Sequence, residues 1–297
     1  MTVLVARQSL RKRTRLAWRL AGFALLAALL GGCGQSSYNY RWDLFFDSVF
    51  RPDSLILTGL WLTVSIAVIS QVIGVALGIV GAMGRISRIA PVRVLASLYV
   101  WFFRGTPLLV QITLIYFGLS VTRIYPWDPI SLGPLAVSGA VQAGIFALSV
   151  NEGAYMTEIV RAGILAVDPG QMEAAKSLGM TYRMAMRRIV LPQAARVIVP
   201  PLGNEFNNML KTVSLLVIIS VPELYVAFSR KNSMLFAPFE LFLACAVWFL
   251  LLTTAWSVIQ YFIERRLGRG VGSSAEGPSL RKRLAGFRLG SSGSGVR

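Results

Sequence analysis

The stretch MEAAKSLGMTYRMAMRRIVLPQAARVIVP, residues 172–200, decides how this sequence is interpreted. It is polar and rich in arginine, yet it lies between long apolar segments of a 297-residue chain that is 55% hydrophobic and 14% charged. With a mean hydropathy of +0.62, the chain is too apolar and carries too few charges for a soluble domain of this length. The sequence therefore indicates an integral membrane protein that keeps a compact charged loop between two spans.

The residues before and within this stretch predict two short helices joined by a tight turn. Residues 168–171, DPGQ, form a helix start, with an acidic N-cap, a proline where no N–H is needed and a glutamine three residues after the cap. Gly179 supplies a left-handed stop for the first helix. Thr181 predicts the cap of a second helix, which we expect to end near Leu191 because Pro192 follows.

Apolar segments that are long enough to cross a bilayer surround this loop, since a spanning helix needs about 20 apolar residues. Five long segments qualify, at 55–83, 94–120, 134–160, 197–222 and 238–263, and a shorter one precedes them near 16–32. Basic clusters lie before the short segment, at 85–93, at 161–196 and after 265. All of them fall on one side if each segment crosses once, and the basic side is cytoplasmic. We therefore expect six membrane crossings, with both termini in the cytoplasm.

The charge and the missing residue types exclude several kinds of function. The net charge of +17 is spread over short clusters between apolar runs, which is the pattern of membrane topology and not of nucleic-acid binding. The chain has no histidine and two cysteines, Cys33 and Cys245, so neither a metal site nor another cofactor is expected. The same absences leave a membrane-embedded enzyme without a recognisable catalytic group. The chain also lacks a G-x-x-x-x-G-K-[ST] phosphate loop, so it cannot bind and hydrolyse ATP by that mechanism.

Two interpretations remain open for RKRTRLAWRLAGFALLAALLGGCG, residues 11–34. Its basic start, apolar core and small residues are typical of a secretory signal, and LGGC resembles a lipoprotein signal box in which Cys33 would be lipidated. Alternatively, an uncleaved short helix ends in close-packing small residues at this point. The expected domains are a signal-like or extra transmembrane segment, a periplasmic interfacial segment, a transmembrane domain and a disordered basic cytoplasmic tail, at 1–33, 34–54, 55–263 and 264–297.

The surface of the charged loop predicts a protein contact. Ala174 and Ala175 give low relief that another protein can approach closely, with Glu173 at the edge, although a solvated structural loop is the alternative. The loop resembles the EAA motif of ABC importer permeases, the element that docks into a cleft of the ATPase subunit. The residues that carry the resemblance are Glu173, Ala174, Ala175, Gly179, Ile189, Leu191 and Pro192.

The likeness extends over about 55–263, where YVWFFRGTPLLVQ and SLLVIISVPEL are similar to permeases of the polar amino acid group. This group serves histidine, arginine, glutamate, glutamine and opines. The resemblance implies an all-α integral membrane protein with a five-helix type I ABC importer core and an extra N-terminal hydrophobic segment. It implies a transport subunit, without an ATPase site of its own, that works in membrane lipid with an ABC ATPase subunit, a substrate-binding protein and a second permease. A lipid-anchored receptor is the rival that Cys33 favours, but it leaves the five spans unexplained.

Polar residues inside the apolar segments indicate a pathway for the solute, because a charge at membrane depth costs about 2.5–3.5 kcal/mol and usually faces a cavity or a partner. At about 100° per residue, the polar residues of 204–214 share one half of a helix. Residues 104–107, RGTP, interrupt an earlier segment. The residues assigned to the pathway are Arg104, Asn151, Tyr155, Glu158, Asn204, Glu205, Asn208 and Lys211.

The charges among these residues suit a zwitterionic amino acid, which needs a cation for its carboxylate and an acceptor for its ammonium group. Arg104 or Lys211 supplies the first, and Glu158 or Glu205 the second. The alternative for each charge is a structural pair that locks two helices, and the i, i+3 spacing of Glu158 and Arg161 is suited to such a pair.

Overall fold

The computed structural model describes residues 38–132 and 135–267 of the chain. The chain divides into one unit up to Trp42 and a second from Asp43 onward. In the described part of the first unit, the Tyr40 ring stacks on Trp42 with 6.0 Å between the ring centroids. The predicted lipidation site Cys33 and most of the predicted basic tail lie outside the described residues.

Helices dominate both described ranges. The α-helices are α1 Trp42–Phe50, α2 Ser54–Ile86, α3 Ala90–Gly105, α4 Leu108–Thr113, α5 Leu119–Val121, α6 Gly139–Leu165, α7 Pro169–Ser177, α8 Tyr182–Ala185, α9 Leu191–Thr212, α10 Leu224–Leu235 and α11 Pro238–Leu267. Two π-helical segments, Leu114–Gly118 and Met186–Val190, and a 3-10 segment, Val213–Ile219, continue the α-helices beside them. The strands β1 Ile130–Leu132 and β2 Leu135–Val137 form an antiparallel hairpin.

Membrane-length helices match the five long apolar segments. Among the described residues, α2 and α11 are each long and apolar enough to cross a bilayer. Two further helix pairs pass the same test only when taken together, α3 with Leu108–Val121, bent by 105°, and Tyr182–Ile219 with α10, bent by 51°. The remaining segment forms α6, whose 27 residues extend about 40 Å although it carries several polar side chains.

Several boundaries differ from those that the sequence predicted. The third long segment was expected from 134, but α6 begins only at Gly139, because the β-hairpin occupies the preceding residues and Ser138 caps the helix by accepting from the N–H of Val141. The tail was expected from 264, whereas α11 continues to Leu267.

The second helix of the charged loop was expected to end near Leu191, and this prediction is wrong. Helical structure runs without interruption from Tyr182 to Ile219. A π-helical turn lies immediately before Pro192, and the N–H of Leu191 donates to the carbonyl of Met186, five residues back. This wider turn changes the hydrogen-bond pattern just where proline has no N–H to donate, so the helix passes through the proline.

Glycines allow α2 and α6 to pack in close contact. A Cβ added at Gly74 would lie 2.6 Å from Cγ of Glu152, and one at Gly78 would lie 2.8 Å from the backbone carbonyl carbon of Met156. Small residues at such an interface bring two membrane helices near enough for extensive van der Waals contact. The pair α2 and α6 therefore forms the scaffold on which the polar residues of α6 are held.

A polar contact ties the start of α2 to α10. Asp53 caps α2 by accepting from the N–H of Ile56 at 3.0 Å, and Nζ of Lys231 lies 2.9 Å from its other oxygen. Partial burial acts to raise the pKa of Asp53, but the hydrogen bond from Ile56 and the charge of Lys231 together hold that pKa below its ordinary value. Asp53 is therefore ionised at neutral pH and serves both helices.

Candidate functional site

The break between α3 and α4 confirms the predicted interruption at RGTP, residues 104–107. The side-chain amide of Gln111 donates to the carbonyls of Phe103 and Thr106, at 2.8 and 3.1 Å. Asn151 of α6 donates to the same Phe103 carbonyl at 3.0 Å and also to Oε1 of Gln111 at 3.0 Å. Non-helical backbone at membrane depth has to be satisfied by neighbouring groups, and these two amides do so.

A cavity of about 480 Å³ lies beside this break, between α4, α6 and α9. We call it the central cavity. Its walls are Thr106, Leu108, Leu148, Asn151, Glu152, Tyr155, Glu205, Asn208, Met209, Lys211 and Thr212. The structure thus brings together five of the residues predicted for the pathway, namely Asn151, Tyr155, Glu205, Asn208 and Lys211.

The central cavity carries charges of both signs. Glu152 and Glu205 contribute carboxylates, and Lys211 contributes an ammonium group. Arg104 lies next to the cavity wall, where its guanidinium carbon is 5.0 Å from the centroid of the Tyr155 ring. Such a cation–π contact fixes the direction of a long side chain that is otherwise exposed. The cavity therefore offers acceptors for a cation and donors for an anion side by side.

Glu152 was not among the predicted pathway residues. It is 5% exposed, and Oε1 accepts from Nε2 of Gln71 on α2 at 3.0 Å. The signal that identifies it in the sequence is the same as for Glu158, a carboxylate inside an apolar segment. Glu152 also directly follows Asn151. Two adjacent helical residues point about 100° apart, yet both can border a wide cavity.

Asn204 lies outside the central cavity. Its Oδ1 accepts from Nε2 of Gln260 on α11 at 3.2 Å, and the neighbouring Asn207 donates to Oγ of Ser257 at 3.2 Å. The polar half of α9 is therefore shared between two partners. One part lines the cavity, and the other part packs against α11.

Glu158 also lies away from the central cavity. Its carboxylate is 3.2 Å from Nε of Arg85 and 3.1 Å from Nη2 of Arg161, with 22% of its side chain exposed. These ion pairs join the end of α2 to the end of α6. The arrangement supports the structural alternative for Glu158, which is a lock between helices.

We expect Glu158→Gln to weaken folding and to leave substrate affinity unchanged. Loss of the shared carboxylate leaves two partly buried guanidinium groups unpaired, which costs about 1–2 kcal/mol, or roughly 3–6 °C in melting temperature. The measurements are thermal unfolding of the purified protein and the KM for uptake. Glu173→Gln, at an exposed carboxylate, is the matched control for unfolding. A raised KM with an unchanged melting temperature would return Glu158 to the pathway.

The loop over residues 168–191 confirms the predicted caps. Oδ1 of Asp168 accepts from the N–H of Gly170 at 2.7 Å, and Oγ1 of Thr181 accepts from the N–H of Met184 at 3.3 Å. Gly179 has φ of +75°, in the left-handed region that glycine adopts without strain. The N–H of Met180 donates to the carbonyl of Ala175 at 3.1 Å, which closes the turn between α7 and α8.

The surface of this loop differs in part from the predicted one. Ala174 is exposed, but Ala175 is 1% exposed, so it belongs to the contact inside the loop and not to a low-relief outer surface. Large apolar side chains are exposed instead, with 82% of Leu178 and 61% of Tyr182 open. Apolar groups exposed together on a polar loop are typical of a protein contact site. Among the other residues that the sequence assigned to this contact, Glu173, Leu191 and Pro192 are exposed and Ile189 is half-buried.

The described residues thus combine a polar cavity among long apolar helices with a capped helical loop, which suits a protein that passes a polar solute through a membrane. Residues 74–269 match the family described as binding-protein-dependent transport system inner membrane component. The chain belongs to this family.

Relatives in bacteria agree with the family match. The chain is 40% identical over 262 residues to the arginine transport system permease protein ArgU of Corynebacterium glutamicum. This match covers 85% of this chain and 81% of the relative. It is 35% identical to the L-cystine transport system permease protein TcyB of Bacillus subtilis, over 77% of this chain and 92% of the relative. Among solved structures, an amino acid ABC transporter with histidines matches 74% of this chain and 98% of its own at 39% identity and a TM-score of 0.65. The chain is thus a permease component of the amino acid ABC importers.

Proposed function

We propose that the central cavity is the binding point for a polar amino acid on its way across the membrane. The observation that carries this proposal is the presence of two carboxylates and one ammonium group in a volume of about 480 Å³. Lys211 donates to the substrate carboxylate, and Glu205 or Glu152 accepts from the substrate ammonium group. The remaining carboxylate favours a substrate with a positively charged side chain over an acidic one.

The topology that we propose has five spans after residue 54 and one before it, with both termini in the cytoplasm. The basic residues at the ends of α2 and α6 and around the 168–191 loop support this orientation. In this orientation the loop lies in the cytoplasm, where a separate ATPase subunit contacts the exposed side chains of Leu178 and Tyr182. ATP does work on the permease only if it binds the closed ATPase pair more tightly than the open one.

A second permease completes the pathway in this proposal. Asn208 and Lys211 line the cavity and are exposed in the single chain. Exposed amides and ammonium groups at membrane depth are poorly tolerated by lipid, so another polar surface has to cover them. A second copy of this chain or a homologue supplies that surface, and a substrate-binding protein delivers the amino acid from the opposite side of the membrane.

We expect Glu205→Gln to lower uptake by about tenfold or more. A charge-assisted hydrogen bond contributes about 1.5–3 kcal/mol, and each 1.4 kcal/mol corresponds to a factor of ten. The measurement is kcat/KM for uptake with saturating binding protein. Glu264→Gln is the matched control, because Oε1 of Glu264 accepts from Gln260 at 2.7 Å outside the central cavity. Equal uptake in both variants would contradict the role of Glu205.

The experiment that tests the function as a whole is reconstitution with the partner ATPase and the binding protein in liposomes. ATP turnover is then measured across arginine, lysine, histidine, glutamine, cystine and glutamate. We expect stimulation by at least one of the basic amino acids and the weakest response to glutamate. An importer that responds to none of these amino acids would overturn the proposed substrate class.

A further inference from the structure

A second cavity, of about 430 Å³, lies at the end of the bundle where α2 and α6 finish and α3 begins. We call it the arginine groove. Its lining consists of Arg85, Arg93, Val94, Ser97, Leu98, Trp101 and Arg161. None of these residues lines the central cavity. Five of the seven come from one stripe of α3, where the spacing of four residues brings side chains to the same face.

Positive charge dominates one end of the arginine groove. Three guanidinium groups meet there, and Glu158 is the carboxylate that ion pairs join to two of them. Arg93 instead donates to the carbonyl of Ser87 at 3.1 Å, which aims its guanidinium group without neutralising it. An excess of positive charge thus remains, and guanidinium groups bind phosphate oxygens through two parallel hydrogen bonds.

The other end of the arginine groove is apolar and open. Val94, Leu98 and Trp101 are 55%, 54% and 72% exposed. They follow Arg93 along α3 at about 1.5 Å per residue, so the polarity changes from cationic to apolar over about 12 Å. Apolar side chains that are exposed on a membrane-embedded helix face the acyl chains of the lipid.

We propose that the arginine groove binds one anionic phospholipid. The phosphate lies against Arg85, Arg93 and Arg161, and an acyl chain follows Val94, Leu98 and Trp101. A soluble phosphate compound matches only the cationic end, whereas a lipid matches the change from cationic to apolar along the helix. Basic pockets between membrane helices on the cytoplasmic side recognise anionic headgroups by this chemistry. The lipid would brace the contact between α2, α3 and α6.

The test uses the full-length protein in its membrane complex, in nanodiscs of phosphatidylcholine with a small fraction of phosphatidylglycerol. Brominated acyl chains quench nearby tryptophan, and the signal of Trp101 is the difference between the wild-type protein and Trp101→Phe. We expect this signal to be quenched at least threefold more by brominated phosphatidylglycerol than by brominated phosphatidylcholine. Arg93→Gln should remove that preference.

Arg88→Gln is the matched control, because Arg88 lies in the same connection and carries the same charge but does not line the groove. It should keep the preference for phosphatidylglycerol. Equal quenching by the two lipids in the wild-type protein would overturn the proposal. Full displacement of phosphatidylglycerol by soluble glycerol phosphate would also overturn it, since the site would then recognise phosphate alone. Absence of Trp101 quenching in the complex would overturn it as well, because a partner subunit would then cover Trp101.

Discussion

Replacing Gly179 by valine is expected to abolish coupled transport, with a fall of at least about tenfold in both uptake and substrate-stimulated ATP hydrolysis. Gly179 has φ of +75°, and a β-branched residue in this region is strained by about 1–3 kcal/mol. The turn that joins α7 to α8 therefore opens or shifts. In the proposed function both helices contact the ATPase together, so a shift in the turn would misplace the whole proposed contact surface. Uptake into liposomes and ATP turnover, measured on the same preparation, check this result.

Asparagine at the same position is the matched control. It is close to valine in size, but it tolerates the left-handed region much better. Nothing lies within 4 Å of a Cβ added at Gly179, so neither side chain is excluded by this chain itself. Gly179→Asn should therefore keep transport within about threefold of the wild type. If valine and asparagine impair transport equally, the effect comes from contact with the partner and not from the backbone.

Replacing Gly78 by alanine is expected to destabilise the protein severely. The new Cβ would lie 2.8 Å from the backbone carbonyl carbon of Met156, so α2 and α6 have to separate. Overpacking of this kind costs about 1–3 kcal/mol, which corresponds to roughly 3–9 °C in melting temperature. The measurement is thermal unfolding of the detergent-solubilised protein, together with the yield of monodisperse material.

Gly118→Ala tests whether this effect is specific to the helix contact. Gly118 is also helical, but nothing lies within 4 Å of a Cβ placed there. The same chemical change should then leave the melting temperature within about 2 °C of the wild type. A similar loss of stability at both positions would show that helix packing at Gly78 is not the cause.

The parts of the fold that sequence reasoning predicted correctly depend on neighbours in the chain. The caps at Asp168 and Thr181 and the left-handed Gly179 each follow from a hydrogen bond or a dihedral angle within a few residues. The break at 104–107 is local in the same sense, because proline removes its own donor.

The parts that were wrong or missed depend on groups that are distant in sequence. Ala175 is buried in a loop whose first helix contacts residues 182–190, and Glu152 is held by Gln71, which lies 81 residues away. Glu158 could be assigned either to the pathway or to a lock. The spacing to Arg161 already suited a structural pair, and the position of Arg85 on a different helix adds the second contact that favours it.

The uninterrupted helix from Tyr182 to Ile219 begins in the loop and also forms one wall of the central cavity, so the two places belong to one continuous helix. From Tyr182 to Lys211 its length is about 44 Å at 1.5 Å per residue. If the helix rotates by about 5° about its Tyr182 end, the backbone at Lys211 moves by about 4 Å, which exceeds the length of a hydrogen bond. Helices bend most readily at proline, and Pro200 and Pro201 lie between the two ends. The stiffness of that short stretch therefore sets how much of a movement at Tyr182 is transmitted to the ammonium group of Lys211.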